Sequence, residues 1–490
     1  MTNIKQLLFT CFVLGCISLQ AQTQKGADFL GQKPREQLGF AISMADADNI
    51  IISSPYKSNQ DNEIRGTTQV WQWDGTQWAP RGSQFKGINL GDKPGVTVFM
   101  PTVNTVGIGE AYFKDNPIGR FRVFDWNGED WAQRGEEIGG IEGEVFSSIS
   151  ASMPDANTVA FAMNRTQENE SEYYTRIVIW DGSQWVQKGS DIKCDLFESY
   201  PFANSVYMPD ANTIAMKTRA LLYPNTSGQI SSIITVYQWN GVDWVKKGGI
   251  IKGESLSDEL CSTISMPDAN TLAIGSPYIY KDYSYTTGNV RVFNWDGSQW
   301  VQKGQNVACE PLKIEGEFTY TMPDVNTLVI CSPAQTSEGK SVGILRTYSW
   351  DGSQWVQKGQ DWMTSLAFGI FTSIYSPDPQ TIAIGMPKYN ESGLVRVYDL
   401  TALANKPEVL NTLNLQTYPN PASGELNLKW DLPYSETIVT VSNLSGKEIL
   451  RQPVYYQTGT SIYLNTSPGL YLVKVITSTG AVATHKILKE

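Results

Sequence analysis

One short stretch keeps returning along this chain, and its recurrence limits the fold more than any other feature. In its clearest copy it reads Val292-Phe293-Asn294-Trp295-Asp296-Gly297-Ser298-Gln299-Trp300-Val301-Gln302-Lys303-Gly304. Two β-favouring runs flank an Asp-Gly pair, a strong short-range hairpin signal. A tight turn there places φ > 0 on Asp and Gly, and Trp295 and Trp300 fall on one face and can pack across the strands. The turn pairs are Asp74-Gly75, Asn127-Gly128, Asp181-Gly182, Asn240-Gly241, Asp296-Gly297 and Asp351-Gly352, preceded by Trp73, Trp126, Trp180, Trp239, Trp295 and Trp350. Successive tryptophans lie 53, 54, 59, 56 and 55 residues apart. So long and regular a period means a repeat architecture.

Each unit carries a second element, clearest at Ser265-Met266-Pro267-Asp268-Ala269-Asn270-Thr271-Leu272-Ala273-Ile274. Its Asp position recurs at Asp46, Thr102, Asp155, Asp210, Asp268, Asp324 and Asp378, which makes seven copies. Pro-Asp-x-Asn is turn chemistry: Pro fixes φ, and Asp and Asn bond back to the local backbone. A strand precedes it and another follows, and the Trp hairpin adds two more. The unit is therefore a four-stranded meander, and seven such units predict an all-β fold, a seven-bladed β-propeller over residues 22–400.

Only six Trp turns accompany seven Asp turns, because the last unit stops at Val395-Arg396-Val397-Tyr398-Asp399-Leu400. Each Trp turn is followed by a basic residue and a Gly, and the missing seventh copy is Gln24-Lys25-Gly26. The N-terminal segment is thus expected to supply the outer strand of the last blade and close the ring, removing two open sheet edges.

Residues 1–21 read as a secretory signal peptide: Lys5 in the n-region, an apolar core over 7–14, and a small-residue cleavage site at Leu19-Gln20-Ala21. Val13-Leu14-Gly15-Cys16 has the outline of a lipoprotein site, but the Leu two before Cys16 is unusual and a better cleavage site lies downstream. No segment approaches the roughly 20 apolar residues of a membrane helix. The chain's net charge of −11 becomes −12 without Lys5, with 37 Lys and Arg against 49 Asp and Glu. Nucleic acid, which needs a basic field, is not an expected partner. Four cysteines remain after cleavage, Cys194, Cys261, Cys309 and Cys331; export permits disulfides and three pairings are open, although the apolar run around Cys331 also suits a buried thiol.

After a linker at 401–413 the period stops. Alternating runs near 425–430, 438–442, 461–464, 470–476 and 483–488, with turns at Gly446, Gly459 and Gly469, predict a small Ig-like β-sandwich over 414–490. This region resembles the type A C-terminal sorting domain of the type IX secretion system of Gram-negative bacteria. The matching residues are Tyr418-Pro419-Asn420-Pro421, Ser445-Gly446-Lys447, the run from Pro468 and Gly469 to Val475, and Lys486-Ile487-Leu488-Lys489. The resemblance implies that the secretion machinery recognises the tail and that the protein is secreted or held on the outer-membrane cell surface. The repeats resemble the FG-GAP repeats of the integrin α-subunit propeller. Ile52-Ser53-Ser54-Pro55, Ile274-Gly275-Ser276-Pro277, Ile330-Cys331-Ser332-Pro333 and Ile384-Gly385-Met386-Pro387 stand at that family's Gly-Ala-Pro, and Phe368-Gly369 at its Phe-Gly. That family's calcium loop is a longer run of spaced acids, so no metal and no cofactor is expected at these one-carboxylate turns.

In a four-stranded meander the Asp and Trp turns share one face of the ring, and their near-identity assigns them a structural role. The variable stretches fall on the other face: 56–66, 112–119, 164–175, 218–229, 278–287, 333–340 and 388–392. Variation on one rim of a rigid ring is where binding is expected. The candidate contact residues there are Tyr112, Phe113, Tyr173, Tyr174, Tyr223, Tyr278, Tyr280, Tyr283 and Tyr285, since Tyr gives contact area at low entropic cost. His485 is the sole histidine and lies in the tail, which leaves the ring without Ser-His-Asp, Cys-His or His-metal chemistry. An acidic run at Glu168, Glu170 and Glu172 is the nearest thing to a carboxylate site. The expected function is a non-catalytic binding or adhesion module for an extracellular protein or glycan. The alternatives are a carboxylate-dependent glycan hydrolase or lyase using the central channel, and a structural surface-layer component.

Overall fold

A computed structural model of the chain describes residues 23–56, 66–87, 93–111, 119–139, 144–167, 170–193, 205–221, 230–253, 263–281, 284–309, 318–335, 341–364, 373–400, 413, 415–430, 434, 437–443, 447–477 and 482–490. Within them, seven antiparallel sheets follow one another along the chain, six built from four successive strands and the last from three successive strands and an N-terminal one. They are numbered here as blades 1 to 7. In blade 5 the strands are Ile264–Asp268, Thr271–Lys281, Ser284–Trp295 and Trp300–Gln302.

The two turns of each blade close as the residue types require, with one difference. Asp268 Oδ1 accepts from the Asn270 N–H at 2.9 Å, and the Asn270 carbonyl accepts from the Trp295 N–H at 2.9 Å. Trp295 and Trp300 are cross-strand partners with ring centroids 5.6 Å apart. The loop between them is four residues long, and only Gly297 takes a positive φ, +104°. Asp296 instead works through its side chain, whose Oδ1 accepts from the N–H groups of Ser298 (2.7 Å) and Gln299 (2.8 Å). The expectation of φ > 0 at both Asp and Gly is therefore corrected. A four-residue loop needs one left-handed residue, and the carboxylate satisfies the two exposed donors. The same bonds, from Gln299 first and Ser298 next, hold the Asp296 carboxyl down to about 2.

Beyond each Trp hairpin the outer strand kinks at the basic residue and Gly. Gly304 has φ +76°, after which Val307–Cys309 pairs again with the third strand. A Cβ on Gly304 would lie 2.5 Å from the Trp350 ring of the next blade, so the position needs both the left-handed backbone and the missing side chain. This close approach seats Lys303 in blade 6. Its Nζ lies 5.1 and 5.3 Å from the Trp350 and Trp355 ring centroids. It donates to the Val325 carbonyl at 2.6 Å and to Asn326 Oδ1 at 3.1 Å, in blade 6's first turn. In return Trp355 Nε1 donates to the Lys303 carbonyl at 2.9 Å. Lys25, Arg81, Arg134, Lys188 and Lys247 make the same set of contacts in blades 1 to 5. Blade 7 has no Trp hairpin to offer blade 6, and there Trp362 of blade 6 packs on Tyr398 with centroids 4.2 Å apart.

Deeper in the ring, Met44, Met100, Met153, Met208, Met266 and Met322 occupy one equivalent position of the innermost strands and are buried between blades. A flexible thioether suits the wedge-shaped gap between radiating sheets.

The ring closes as the sequence predicts. Thr23–Gln24 and Phe29–Leu30 pair with Leu394–Asp399, in register Gln24 to Tyr398 and Phe29 to Val395. Arg396 holds Asp28 through two hydrogen bonds of 2.7 Å.

The tail is a sandwich. A three-stranded sheet (Gln416–Tyr418, Glu425–Lys429, Gly459–Tyr463) faces a four-stranded one (Thr437–Asn443, Glu448–Val454, Gly469–Thr477, Val482–Lys489). Leu426, Leu428 and Ile462 meet Val439, Val441, Val473, Val475 and Ile487 in one core. Leu413, assigned to the linker from sequence, is buried in that core. The strands at 416–418 and 448–454 were not expected, because the first is short and the second is exposed at most positions.

Two outcomes test these contacts. Lys303→Ala removes a cation–π contact and two hydrogen bonds, and should lower the unfolding free energy by about 1–3 kcal/mol in urea. An unchanged midpoint would count against the clamp. The hydrogen bond from Arg396 lowers the Asp28 pKa below its ordinary 3.8. Stability from this pair is then complete above that value and is lost as pH falls through the lower folded one. Asp28→Asn should flatten this acid limb of a melting-temperature profile.

Candidate binding rim

The rim opposite the Trp hairpins is uneven, and the register of the second and third strands measures how. In blades 7, 1 and 2 this ladder ends at Met386 with Leu394, Ser54 with Thr67 and Glu110 with Arg120. The equivalent pairs in blades 3 to 6 are Met163 with Tyr174, Thr218 with Ile233, Ser276 with Asn289 and Ser332 with Ile344. There the ladder runs on, ending at Gln167 with Glu170, Leu221 with Ile230, Lys281 with Ser284 and Gln335 with Ser341. At about 3.3 Å per residue, the five extra positions carry the ladder of blade 5 roughly 16 Å past the point where that of blade 7 ends. Four neighbouring blades thus carry the longer ladders among the described residues.

The predicted contact residues divide accordingly. Tyr278, Tyr280 and Tyr285 stand on the tallest ladder, with Tyr280 directly opposite Tyr285. The stretches 278–287 and 164–175, expected as loops, are largely paired strands among the described residues, and the β-branched and aromatic residues of 278–287 favour that extended ladder. Tyr173 is half-buried on the blade 3 hairpin. Tyr174 is a correction. It is 1 % exposed, packed with Phe121, Val123, Met153 and Phe161, and the Arg176 guanidinium lies 5.2 Å from its ring. Strand alternation sends it to the face opposite Tyr173. Tyr112, Phe113, Tyr223 and Tyr283 lie outside the described residues, as does Glu168. Glu172 pairs with Lys193 at 2.6 Å.

Ion pairs that are buried or partly buried were not anticipated. Arg176 with Asp191, Arg346 with Asp361 and Arg396 with Asp28 are bidentate, joining a third-strand Arg to the Asp two residues past the bulge Gly. The spacing Gly-x-Asp was the available signal. In blade 2, Glu110 is 2 % exposed and bonded to both Arg120 (2.9 Å) and Arg122 (2.7 Å). A carboxylate held by two guanidiniums is spent on structure.

Toward the axis, the residue three before each first-turn Asp is Ser43, Phe99, Ser152, Tyr207, Ser265, Thr321 and Tyr375, none of them a carboxylate. The hydroxyls of Ser43, Ser152 and Ser265 accept from the N–H groups of Met100 (3.1 Å), Met208 (2.9 Å) and Met322 (2.9 Å) in the next blade. Burial pushes the Tyr207 and Tyr375 hydroxyls up. Asp155, Asp210, Asp268, Asp324 and Asp378 each accept from their own turn's backbone. Among the described residues no group of three or more His, Cys, Asp or Glu is placed to hold a metal ion. Cys309 and Cys331 are buried, and burial pushes the Cys331 thiol up; Cys194 and Cys261 lie outside the described residues.

In the tail the predicted motif residues act on the last strand. Asn420 Nδ2 donates to the Lys486 carbonyl at 2.9 Å, and its Oδ1 accepts from the Leu488 N–H at 3.0 Å. Gly469 pairs with Lys489, and Tyr418 is half exposed at the end of the first strand. Pro419 and Pro421 flank Asn420. His485 Nδ1 lies 3.0 Å from Thr417 Oγ1.

Residues 416–490 match the family described as the secretion system C-terminal sorting domain. No curated protein matches the chain. Three of the solved structures that resemble it follow. The β-propeller domain of the trilobed protease from Pyrococcus furiosus is 11 % identical, covering 71 % of this chain and 96 % of that one, with a TM-score of 0.34. An α-L-arabinanase from Penicillium chrysogenum is 11 % identical over 61 % and 90 %, TM-score 0.37. A GH74 xyloglucanase from Xanthomonas campestris is 10 % identical over 84 % and 60 %, TM-score 0.42. No helix among the described residues is long and apolar enough to cross a membrane.

The split between Tyr173 and Tyr174 is directly measurable. Tyr174→Ala should cost on the order of 3 kcal/mol as a buried aromatic, whereas Tyr173→Ala should change stability by less than about 1 kcal/mol. Equal losses in urea unfolding would contradict the assignment.

Proposed function

We propose that this propeller, carrying a secretion-system sorting tail, is a non-catalytic module that binds an extracellular protein or glycan on its uneven rim. The tail would hand the chain to the type IX machinery, leaving the ring at the cell surface or in the medium. The observation that carries the reading is the contrast between the two faces of one ring. The Trp-hairpin face repeats nearly the same residues and bonds from blade to blade. The opposite face varies in ladder height by as much as five residues between blades, and it carries tyrosines on its tallest hairpin. Identity is what packing rewards, and variation is what recognition uses.

Two further observations support a binding role over catalysis. The first-turn carboxylates accept their own backbone N–H groups, and Glu110 is held by two arginines. The resemblance of the repeats to the FG-GAP units of an adhesion-receptor propeller agrees with it, as an analogy of fold.

The test uses the full-length secreted chain against immobilised matrix proteins and polysaccharides. Replacing Tyr278, Tyr280 and Tyr285 together by Ala should weaken retention at least about tenfold, the loss of roughly one or two contact residues, without lowering the melting temperature. Retention by no ligand, or retention unchanged in the triple variant, would refute the raised hairpin as the contact surface.

A further inference from the structure

Two of the six Trp hairpins differ from the rest at the first residue of their loop. Blades 2 and 4 have Asn127-Gly128 and Asn240-Gly241 where blades 1, 3, 5 and 6 have Asp-Gly. The position three residues on changes in the opposite sense. It is Gln77, Gln184, Gln299 and Gln354 in the Asp blades, and Asp130 and Asp243 in the Asn blades. Between these two positions each loop therefore keeps one carboxylate and one amide. The displaced carboxylate ties its hairpin to the preceding blade. Asp130 Oδ1 accepts from the N–H groups of Ser83 and Trp131 at 2.8 Å each, and Asp243 Oδ1 from those of Ser190 and Trp244 at 2.9 Å each.

The amide is left in a setting that suits an internal reaction. Asn240 Oδ1 accepts from the N–H groups of Val242 and Asp243, and Asn127 Oδ1 from those of Glu129 and Asp130, all at 2.9 Å. Negative charge would build on this same oxygen if the nitrogen of the next residue attacked Cγ, and donors already aimed at such an atom lower the barrier. The next residue is a glycine in both loops, with φ +105° at Gly128 and +99° at Gly241. A Cβ built on either would meet no atom within 4 Å, and both asparagines are exposed. The attacking and attacked atoms belong to adjacent residues, so little orientation is lost in bringing them together.

The first turns supply a contrast within the same ring. Asn104, Asn157, Asn212, Asn270 and Asn326 each precede a threonine, whose branched side chain crowds its own nitrogen. Their Oδ1 atoms accept from the clamp side chains Arg81, Arg134, Lys188, Lys247 and Lys303 at 2.8 to 3.1 Å.

We propose that Asn127 and Asn240 are modification sites that deamidate spontaneously in the folded protein. The glycine nitrogen gives its proton to hydroxide and bonds to Asn Cγ. The Cγ–Nδ2 bond breaks, and the amide takes up a proton and leaves as ammonia. Water then adds to one carbonyl of the resulting succinimide and opens it to aspartate or isoaspartate, so each event consumes one water and releases one ammonia. Each also adds a carboxylate to a loop that already holds Asp130 or Asp243. The loops lie on the face opposite the variable rim, so this inference stands apart from the binding reading.

Mass-spectrometric peptide mapping of the full-length chain tests it, after incubation folded in mildly alkaline buffer and, in parallel, unfolded in urea. Fragment spectra should place the amide-to-acid mass gain at Asn127 and Asn240 and not at the five Asn-Thr sites. The gain should slow in mildly acidic buffer, since the glycine nitrogen must lose its proton. A reaction that waited for the hairpin to open locally would be slowed by the opening equilibrium, so the folded rate should be no less than about one-tenth of that in urea. Asn127→Asp and Asn240→Asp imitate the product, and each should abolish the gain at its own site. A smaller folded rate, conversion no faster at the Asn-Gly than at the Asn-Thr sites, or a gain that survives in these variants would overturn the proposal.

Discussion

A basic side chain from one blade, held between two indole rings and a turn carbonyl of the next, is the contact on which the ring depends. It joins three separate sequence elements. The kink at Lys303-Gly304 delivers the ammonium, the Trp350 and Trp355 hairpin receives it, and the first turn of blade 6 accepts its protons. Each element alone reads as a local turn device. Together they set the distance and angle between neighbouring sheets, because the Gly permits an approach so close that an added Cβ would fall 2.5 Å from the Trp350 ring. The contact also has a direction, from each blade to its successor. Six copies therefore assemble six junctions with the same geometry.

Closure follows from the same chemistry. The chain ends its ring at blade 7 without an outer strand, and Thr23–Gln24 supplies one from the opposite end of the sequence. Lys25 then does for blade 1 what Lys303 does for blade 6, so the covalent break is hidden inside a repeat of the standard contact. The junction between blades 6 and 7 is the exception. Lacking a Trp hairpin to grip, it relies on Trp362 packed against Tyr398. Two irregular features gather near this closing region: the exceptional junction and the strained crossing at residues 35 and 391.

Much of this was legible in advance, for identifiable reasons. Repetition exposes any position that packing holds constant, so Trp295, Gly297, Asp268 and Lys303 announced themselves, and the stray copy at Gln24-Lys25-Gly26 revealed the closure. The apolar residue three past each bulge Gly (Phe29, Phe85, Ile138, Ile192, Ile251, Val307 and Trp362) carried an equally regular signal, and packs toward the next blade. It was masked by its varied size. The rim was read less well. Tyr173 and Tyr174 are neighbours in sequence and differ in role only through strand alternation, which a stretch taken as loop does not reveal. Ladder length at 278–287 was hidden for the same reason, since Thr287 and Gly288 look like loop composition yet pair with Tyr278 and Cys309 respectively.

By itself the sequence determined that this protein is a closed array of seven like sheets with a separate β tail marked for export, because both conclusions rest on local patterns that repeat or match. It could not determine how far each hairpin ladder runs, which tyrosine is buried, or that the link at Arg35 crosses the blade 7 turn at Glu391. Those two residues are far apart in the chain, and only the folding of the ring back on its own beginning brings them within contact distance. Local periodicity fixes the units, whereas a contact made where the two ends of the ring meet belongs to no unit and leaves no periodic trace.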